Sequence, residues 1–494
     1  MNIAETIAMT GAAWTLLWPL ITIAAAAIVA MVGIAFHRSH GLTLGVTLVG
    51  LGLAIAELIP AASVVPRDVT PLLRIDGFAL FFIGLTAASA FTVALLARAY
   101  LNRQQVVKEE FYILLLTATL GAAVLAASNH FASFFLGLEI LSVSLYGLNA
   151  YLQRKALPLE AGIKYLVLAA SSAAFLLFGM ALVYASTGTM NFPALAAALQ
   201  PAAHLHTALV VPGLVLILVG IGFKLGVVPF HLWTPDVYQG APAPVTAFIA
   251  TASKAAIFAV LLRLVAELGG NRSAGLAAVI AAVAIASMVA GNLLALRQRN
   301  VKRILAYSSI AHMGYLLVPL EAAGAALNLA AAAIGFYFLA YFIATLGAFG
   351  IISALSSSDG EPDTIADYRG LFWRRPGLAL VFIAMLLSLA GIPLTAGFIA
   401  KFYIVAAGAS ALLWALLLIL VITSVVGLFY YLRIVVALCA APETSPSAEP
   451  AAVALWRPIA RTDGWVLAIL LIALVCIGVY PQPFLHLVLH LPLR

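Results

Sequence analysis

The stretch FKLGVVPFHLWTPDVYQGAPAPVTAFIATASK, residues 223–254, decides how this chain is interpreted. It contains two lysines, a histidine and an aspartate, in a region that is otherwise apolar enough to cross a membrane. An ionisable side chain is costly in lipid, so each one inside a span is by default a candidate for function. The surrounding sequence must therefore show whether the chain is a membrane protein and why it places lysines there.

The composition is that of a membrane protein. Of the 494 residues, 65% are apolar and 9% are charged, and the mean hydropathy is +1.14, whereas a soluble domain carries about 25% charged residues. The net charge of +7 follows from the Lys and Arg bias of cytoplasmic loops. It therefore indicates membrane lipid, and not nucleic acid, as a partner. No Lys or Arg precedes His37, so the first apolar run is predicted to stay as a span rather than to be cleaved as a signal peptide.

Fourteen apolar segments are predicted to span the membrane. A span needs about 20 mostly apolar residues to cross about 30 Å of hydrocarbon, and backbone hydrogen bonding in lipid makes these segments helices. The chain is therefore expected to be an all-α polytopic membrane protein. The predicted limits are 13–36, 42–62, 77–98, 111–129, 131–152, 161–186, 208–230, 242–266, 274–296, 303–320, 325–354, 377–406, 411–433 and 464–487.

The charge distribution predicts the orientation of these spans. Each loop takes the number of the span before it. Sixteen of the 25 Lys and Arg residues lie in odd-numbered loops, five lie in even-numbered loops and at the C-terminus, and four lie inside spans. The positive-inside rule places the odd-numbered loops in the cytoplasm and both termini outside. For a bacterial plasma (inner) membrane, both termini would be periplasmic.

Spans 7 and 12 are interrupted by helix-breaking residues, and this predicts an internal repeat. If helices 4–8 and 9–13 form two five-helix units, the broken helix is the fourth member of each, and the odd number of helices makes the second unit inverted. The alternative is coincidence, because Gly and Pro are common in membrane helices. The predicted segments are 1–110 (helices 1–3), 111–270 (first repeat), 271–440 (second repeat) and 441–494 (linker and helix 14).

Five ionisable residues lie well inside the predicted spans, and four of them are lysines: Glu139, Lys164, Lys224, Lys254 and Lys401. Lys254 lies twelve residues beyond Pro242, about 18 Å at the helical rise, and so near mid-membrane. Lys164 is only a few residues into its span and could instead reach the surface. Arginine hardly ever loses its proton, whereas a desolvated lysine can exchange one near neutral pH. The use of lysine therefore favours proton exchange over a purely structural ion pair.

Other polar residues could extend a proton path. A negative charge near Lys224 would favour its protonated form, and Glu139 is the predicted source, although a structural pair is the alternative. His231 follows the break after Lys224 and suits proton relay, but it could equally be a structural donor. Ser308, His312 and Tyr315 share one helix face. Ser and Thr on such faces are also common packing contacts.

The cysteines give no sign of a redox or metal site. Cys439 and Cys476 lie in apolar runs without a CxxC or His-rich spacing, so we expect no disulfide framework, iron–sulfur cluster or other redox centre in this chain.

Three stretches resemble the antiporter-like membrane subunits of respiratory complex I, the proton-translocating NADH:quinone oxidoreductase. They are the opening stretch, LRQRNVKRILAYSSIAHMGY (296–315) and DYRGLFWRRPGLALVFIAMLLSLAGIPLTAGFIAKFYIV (367–405). The resemblance covers most of the chain. One branch of the family has glutamate at the helix 12 position where this chain has Lys401, and another carries a long C-terminal lateral helix for which 494 residues leave no room.

The resemblance implies fourteen helices with two inverted five-helix repeats, and a role for each buried ionisable residue. Glu139 and Lys224 would form the helix 5 and helix 7 pair, Lys254 would be the central relay lysine, and Lys401 would serve the exit side. His231 and Lys164 match further polar positions. It also implies that FMN, iron–sulfur clusters and quinone belong to partner subunits, and that the partners are other membrane and peripheral subunits of complex I.

Two other functions remain open at this stage. Subunits of multisubunit cation/proton antiporters share the lysine pattern and would work without NADH oxidation. Alternatively, the ionic residues would only fix helix packing in an assembly subunit that transports nothing.

Overall fold

The computed structural model describes residues 11–104, 106–199, 208–269, 274–358, 360–441 and 459–489. The described chain is helical almost throughout, and each predicted span has a helical counterpart. The principal helices are α1 (Gly11–Phe36), α2 (His40–Ala56), α3 (Gly77–Arg103), α4 (Glu109–Ala127), α5 (Phe131–Asn149), α6 (Ala156–Thr187), α7 (Val210–Leu225), α8 (Trp233–Gly240), α9 (Ala243–Glu267), α10 (Ala274–Leu296), α11 (Val301–Ala322), α12 (Leu327–Leu355), α13 (Pro376–Ala390), α14 (Ala396–Ser410), α15 (Trp414–Cys439), α16 (Arg461–Val479) and α17 (Gln482–Leu489).

The remaining regular elements are short. They are the helices Leu58–Ala62, Phe192–Ala198 and Leu371–Arg374, the 3₁₀ turn Ile365–Tyr368, and an antiparallel hairpin of β1 (Arg67–Thr70) and β2 (Leu73–Ile75). The last span ends at Val479, eight residues before its predicted limit, and α17 follows as a separate helix. Most of the predicted linker, residues 442–458, lies outside the described residues.

Eleven helices in the described ranges are long and apolar enough to cross a membrane, and α7, α13 and α14 are shorter apolar helices. The all-α membrane fold is therefore confirmed. The count of fourteen spans and the inverted repeat remain predictions.

Two helices form the centre of the bundle. The most apolar stretch of α9 is completely buried and that of α12 nearly so, whereas α1, α2, α6, α10, α15 and α16 each expose much of their surface. A helix that is apolar on all sides is expected to be enclosed by protein or lipid. Here α12 packs against α9, α3, α13, α14 and α16, and the side chains in the buried stretch of α9 point into protein.

Both predicted helix breaks are present and have the same geometry. Helix α7 ends at Gly226, with φ of 70°, and α13 ends at Gly391, with φ of 84°. In each case the glycine N–H and the next N–H bond back to carbonyls of the last turn, as Val227 N does to Gly222 O at 3.0 Å. This is the Schellman motif, whose left-handed residue strongly favours glycine. The backbone groups at the breaks are thus partly satisfied by the chain itself.

One buried ion pair ties α9 to α3. Arg263 Nη1 lies 2.6 Å from Asp76 Oδ2, and both side chains are at most 1% exposed. Asp76 also caps α3 by accepting a hydrogen bond from Ala79 N at 2.8 Å. This permanent buried pair uses arginine, consistent with the distinction drawn above between arginine and lysine.

Candidate proton path

Lys224 occupies the last turn of α7, directly before the break, and is 3% exposed. Its Nζ donates a hydrogen bond of 2.6 Å to Ser142 Oγ on α5 and lies 5.4 Å from the centre of the Tyr165 ring. The Ser142 hydroxyl in turn donates to Leu138 O at 2.6 Å. Within the described chain, the lysine is thus held by one hydroxyl group and aromatic rings, and no carboxylate oxygen lies within 4.0 Å of its Nζ.

Glu139 lies on the same helix as Ser142, three residues earlier, and is half-buried. Its Oε1 is buried and has no hydrogen-bond partner in the described chain. Neither carboxylate oxygen of Glu139 forms an ion pair of 4.0 Å or less with Lys224 there. The two charges are nevertheless near enough to interact electrostatically. The structure therefore brings the expected pair to one region but places Ser142, rather than Glu139, in contact with the lysine.

Lys254 lies near the middle of α9 and is completely buried, as its position in the sequence predicts. Its Nζ donates to Ser309 Oγ on α11 at 2.8 Å and lies 5.6 Å from the centre of the Tyr238 ring. A π-helical turn, Ile249–Ser253, comes directly before it, and such turns occur often at functional sites. Lys224 and Lys254 therefore point to different helices, α5 and α11.

A polar network continues from Lys254 along α11. Ser309 Oγ also accepts a hydrogen bond from Tyr341 OH at 2.7 Å, and the Tyr341 ring lies 5.2 Å from that of His312. The two ring nitrogens of His312 lie 2.6 Å from Tyr337 OH and 3.2 Å from Tyr431 OH. Sequence reasoning gave His312 little weight, although its spacing from Ser308 and Tyr315 had placed it on a polar face.

Lys401 lies on α14 and reaches back across the second helix break. Its Nζ donates to Ala390 O, the carbonyl at the end of α13, at 2.8 Å and to Ser424 Oγ at 2.6 Å. The negative end of the α13 dipole stabilises a cation there. Lys401, His312 and Tyr341 line a small cavity with a volume of about 10 Å³. A cavity of this size holds roughly one water molecule.

Two predicted residues lie apart from this network. The Lys164 side chain is 41% exposed and forms ion pairs with Glu160 at 2.6 Å and Asp236 at 2.8 Å. His231 is buried in the turn after α7, and in the described chain its Nδ1 has no hydrogen-bond partner. The geometry thus links Lys254 toward Lys401, while His231 makes no hydrogen bond to either Lys224 or Lys254 in the described chain.

Sequence reasoning also missed a further buried lysine. Lys302 is 1% exposed, and its Nζ lies 2.6 Å from Glu361 Oε2 and 2.7 Å from Ala241 O. The other oxygen of Glu361 accepts from Tyr100 OH at 2.7 Å and from Ala243 N at 2.8 Å. The predicted spans 274–296 and 303–320 had placed Lys302 in the loop between them. Its contacts tie the loop after α12 to the start of α9.

The arrangement can hold and exchange protons, and it offers little for a metal. In the described ranges, no group of three or more His, Cys, Asp or Glu side chains is placed to hold a metal ion. By contrast, Lys224, Lys254 and Lys401 each donate a hydrogen bond to a serine hydroxyl, which can both donate and accept a hydrogen bond.

Comparison with known proteins assigns the chain to a family. The transmembrane family described as NADH:quinone oxidoreductase/Mrp antiporter matches residues 128–427. The chain is 48% identical over 485 residues to NADH-quinone oxidoreductase subunit N of Methylococcus capsulatus, covering 98% of this chain and 96% of the relative.

Solved structures agree on the fold. A chain of respiratory complex I from Thermus thermophilus is 34% identical, with a TM-score of 0.79 and coverage of 95% of this chain and 99% of that one. A chain of the Mrp complex from Dietzia sp. has a TM-score of 0.82 at 23% identity, over 95% of this chain and 96% of that one, which shows a shared fold alone. The chain is a multi-pass membrane protein and belongs to the NADH-quinone oxidoreductase subunit N family of antiporter-like complex I membrane subunits.

Proposed function

We propose that this chain is a proton-translocating module of NADH:quinone oxidoreductase, driven by quinone reduction in neighbouring subunits. The observation that carries the proposal is Lys254, which is completely buried at mid-helix and whose Nζ is hydrogen-bonded to a hydroxyl that also binds Tyr341. A lysine in that position is costly unless its charge is used. Its contacts lead through Tyr341 and His312 toward Lys401.

In the proposed mechanism, a conformational or electrostatic signal from the neighbouring subunits changes the interaction of Glu139 with Lys224. Weakening that interaction makes the protonated lysine less favourable, because a nearby carboxylate stabilises the ammonium group. Lys224 then yields its proton across the α7 break, where His231 lies, to Lys254. From Lys254 the proton moves along the α11 side chains and the small cavity to Lys401, and then outward.

Lys164 has a different place in this scheme. Its two carboxylate partners and its partial exposure support a role in holding α6 to α8 at the edge of the path. Asp236 also accepts from Arg303 Nη1 at 2.7 Å, so this cluster joins three helices. We propose that it supports the path without carrying protons.

The redox chemistry is assigned to other subunits. FMN, iron–sulfur clusters and quinone are expected in the partner membrane and peripheral subunits of the complex. The charge distribution of the loops supports insertion in the bacterial plasma membrane with both termini in the periplasm.

A test of this proposal is affinity purification of the chain from its native membrane in mild detergent, followed by assays for NADH:quinone reductase activity and, after reconstitution, for NADH-driven proton uptake. Flavin and iron–sulfur signals that purify with the chain, together with coupled uptake, are the expected result. A preparation without redox activity that exchanges protons in response to a cation gradient would overturn it.

That second outcome would identify a cation/proton antiporter subunit, the other function that the family description includes. Under that alternative, deletion of the chain would make cells sensitive to Na⁺ or alkaline pH and leave NADH oxidation unaffected. A chain that only supports assembly would instead tolerate an apolar residue at position 254 with coupled uptake intact.

A further inference from the structure

One buried hydroxyl beside the helix break has no partner. Thr234 lies in the first turn of α8 and is completely buried, and its Oγ1 has no hydrogen-bond partner in the described chain. A buried hydroxyl without a partner is destabilising, and each such group in a native structure needs an explanation. Most other buried threonines bond to their own helix, as Thr119 Oγ1 does to Leu115 O at 2.7 Å.

The space next to this hydroxyl also contains the Lys254 ammonium group. A Cβ atom placed on Gly226 would lie 2.5 Å from Thr234 Oγ1 and 3.6 Å from Lys254 Nζ. Both polar atoms therefore lie against Gly226, where any side chain would collide with the Thr234 hydroxyl. The left-handed backbone at Gly226 favours glycine for a separate reason, so the helix break and the close approach of these two groups both depend on this glycine.

The position of Thr234 is fixed by its neighbours. Trp233 Nε1 donates a hydrogen bond of 2.8 Å to Phe223 O, which ties the start of α8 to the end of α7. Thr234 N also donates to His231 O at 2.9 Å. The hydroxyl is thus held on the α7 side of Lys254, the side from which Lys224 would supply a proton.

The Lys254 ammonium group has more N–H donors than the hydrogen bond to Ser309 uses. An ammonium group has three N–H donors, and the hydrogen bond to Ser309 uses one of them. Ser309 lies on α11 and also accepts a hydrogen bond from Tyr341, on the path toward Lys401. The lysine side chain has several rotatable bonds, so its Nζ can move between two hydroxyl groups that border its position.

We propose that Thr234 is the second hydrogen-bond partner of Lys254, and that Lys254 alternates between Thr234 on the intake side and Ser309 on the exit side. Thr234 is a positioning residue: it holds the ammonium group toward α7 while the proton arrives, and Ser309 holds it after the lysine has turned. The alternation prevents one continuous path from joining both sides at once. This inference rests on the proposed function.

The test compares Thr234→Val, which keeps the shape and removes the hydroxyl, with Thr234→Ser, which keeps the hydroxyl. Each variant is purified as the whole reconstituted complex, and NADH-driven proton uptake is measured per flavin. Lys254→Met is measured in parallel, and the uptake that it abolishes defines the Lys254-dependent uptake. Thr119→Val is the matched control, because its hydroxyl bonds only within its own helix.

Loss of a hydrogen bond to a charged group corresponds to about a tenfold or larger change in an equilibrium constant. Thr234→Val is therefore expected to lower the Lys254-dependent uptake about tenfold, while Thr234→Ser and Thr119→Val stay within about twofold of the unmodified protein. Unchanged uptake in Thr234→Val would overturn the inference, and so would an equal loss in the Val and Ser variants, which would indicate a packing role. If Lys254→Met itself lost no uptake, the proposed function would fail instead.

Discussion

Lys254 Nζ donates a hydrogen bond of 2.8 Å to Ser309 Oγ, across the contact between α9 and α11. The two residues are 55 positions apart in the chain, and both are buried. The bond connects the lysine through Ser309 to Tyr341, whose ring lies beside His312. It is the first step of the exit side in the mechanism proposed above.

Removing the Ser309 hydroxyl should impair that step. In Ser309→Ala, Lys254 loses its acceptor and Tyr341 loses the partner of its hydroxyl group, so the Lys254-dependent proton uptake should fall about tenfold. The measurement is NADH-driven uptake by the reconstituted complex. Ser171→Ala is the control, since the Ser171 hydroxyl bonds to Val167 O on its own helix. Full uptake in Ser309→Ala would show that this hydrogen bond is not on the path.

Replacing Lys224 by arginine separates charge from proton exchange. Arginine keeps the positive charge beside Ser142 but does not release its proton near neutral pH, so Lys224→Arg should assemble and yet lose coupled uptake. Lys164→Arg should retain uptake, because arginine can pair with Glu160 and Asp236 as lysine does. If Lys224→Arg pumped at the normal rate, the lysine would be a scaffold residue.

The helix breaks and the depth of Lys254 could be predicted from local sequence. Gly226 and Gly391 end their helices, as glycine followed closely by proline indicates. Lys254 lies near mid-helix, as predicted from the twelve-residue separation of Pro242 and Lys254 and the rise per residue of an α-helix. Such features depend on residues of the same helix or of the turn that ends it.

The contacts of the charged residues could not be predicted in the same way. Ser142 is 82 residues from Lys224 and Asp76 is 187 residues from Arg263, so their proximity depends on how whole helices pack. His312 was underrated because the hydroxyls around it come from α12 and α15, which no local pattern relates to α11. The Thr234 hydroxyl, which has no hydrogen-bond partner in the described chain, likewise depends on how α8 packs against its neighbours.

The buried pair of Asp76 and Arg263 should matter for stability rather than for proton movement. Asp76→Asn can still cap α3 through its side-chain oxygen, but it leaves the Arg263 charge buried and unpaired, which costs about 3–5 kcal/mol. We expect a lower midpoint of thermal inactivation of the purified complex, with unchanged proton uptake per NADH oxidised below that temperature. An unchanged midpoint would mean that Arg263 finds another partner.

His312 should be needed between Lys254 and Lys401. Glutamine can keep a hydrogen bond to one of the tyrosines but cannot take up a proton, so His312→Gln should reduce the Lys254-dependent uptake. His130→Asn provides a control, because His130 caps α5 by accepting from Ala132 N at 3.0 Å and asparagine can do the same. Equal uptake in both variants would exclude a role for the His312 imidazole in proton transfer.

The most direct test of the account is NADH-driven proton uptake by the reconstituted complex that contains Lys254→Met. Methionine is close to lysine in size and is apolar, so the packing of α9 should survive while the proton-exchanging group is lost. The account predicts an assembled complex, with flavin and quinone reductase activity present, that takes up fewer protons per NADH oxidised than the unmodified complex. Normal uptake per NADH in this variant would contradict the claim that the buried lysine carries protons.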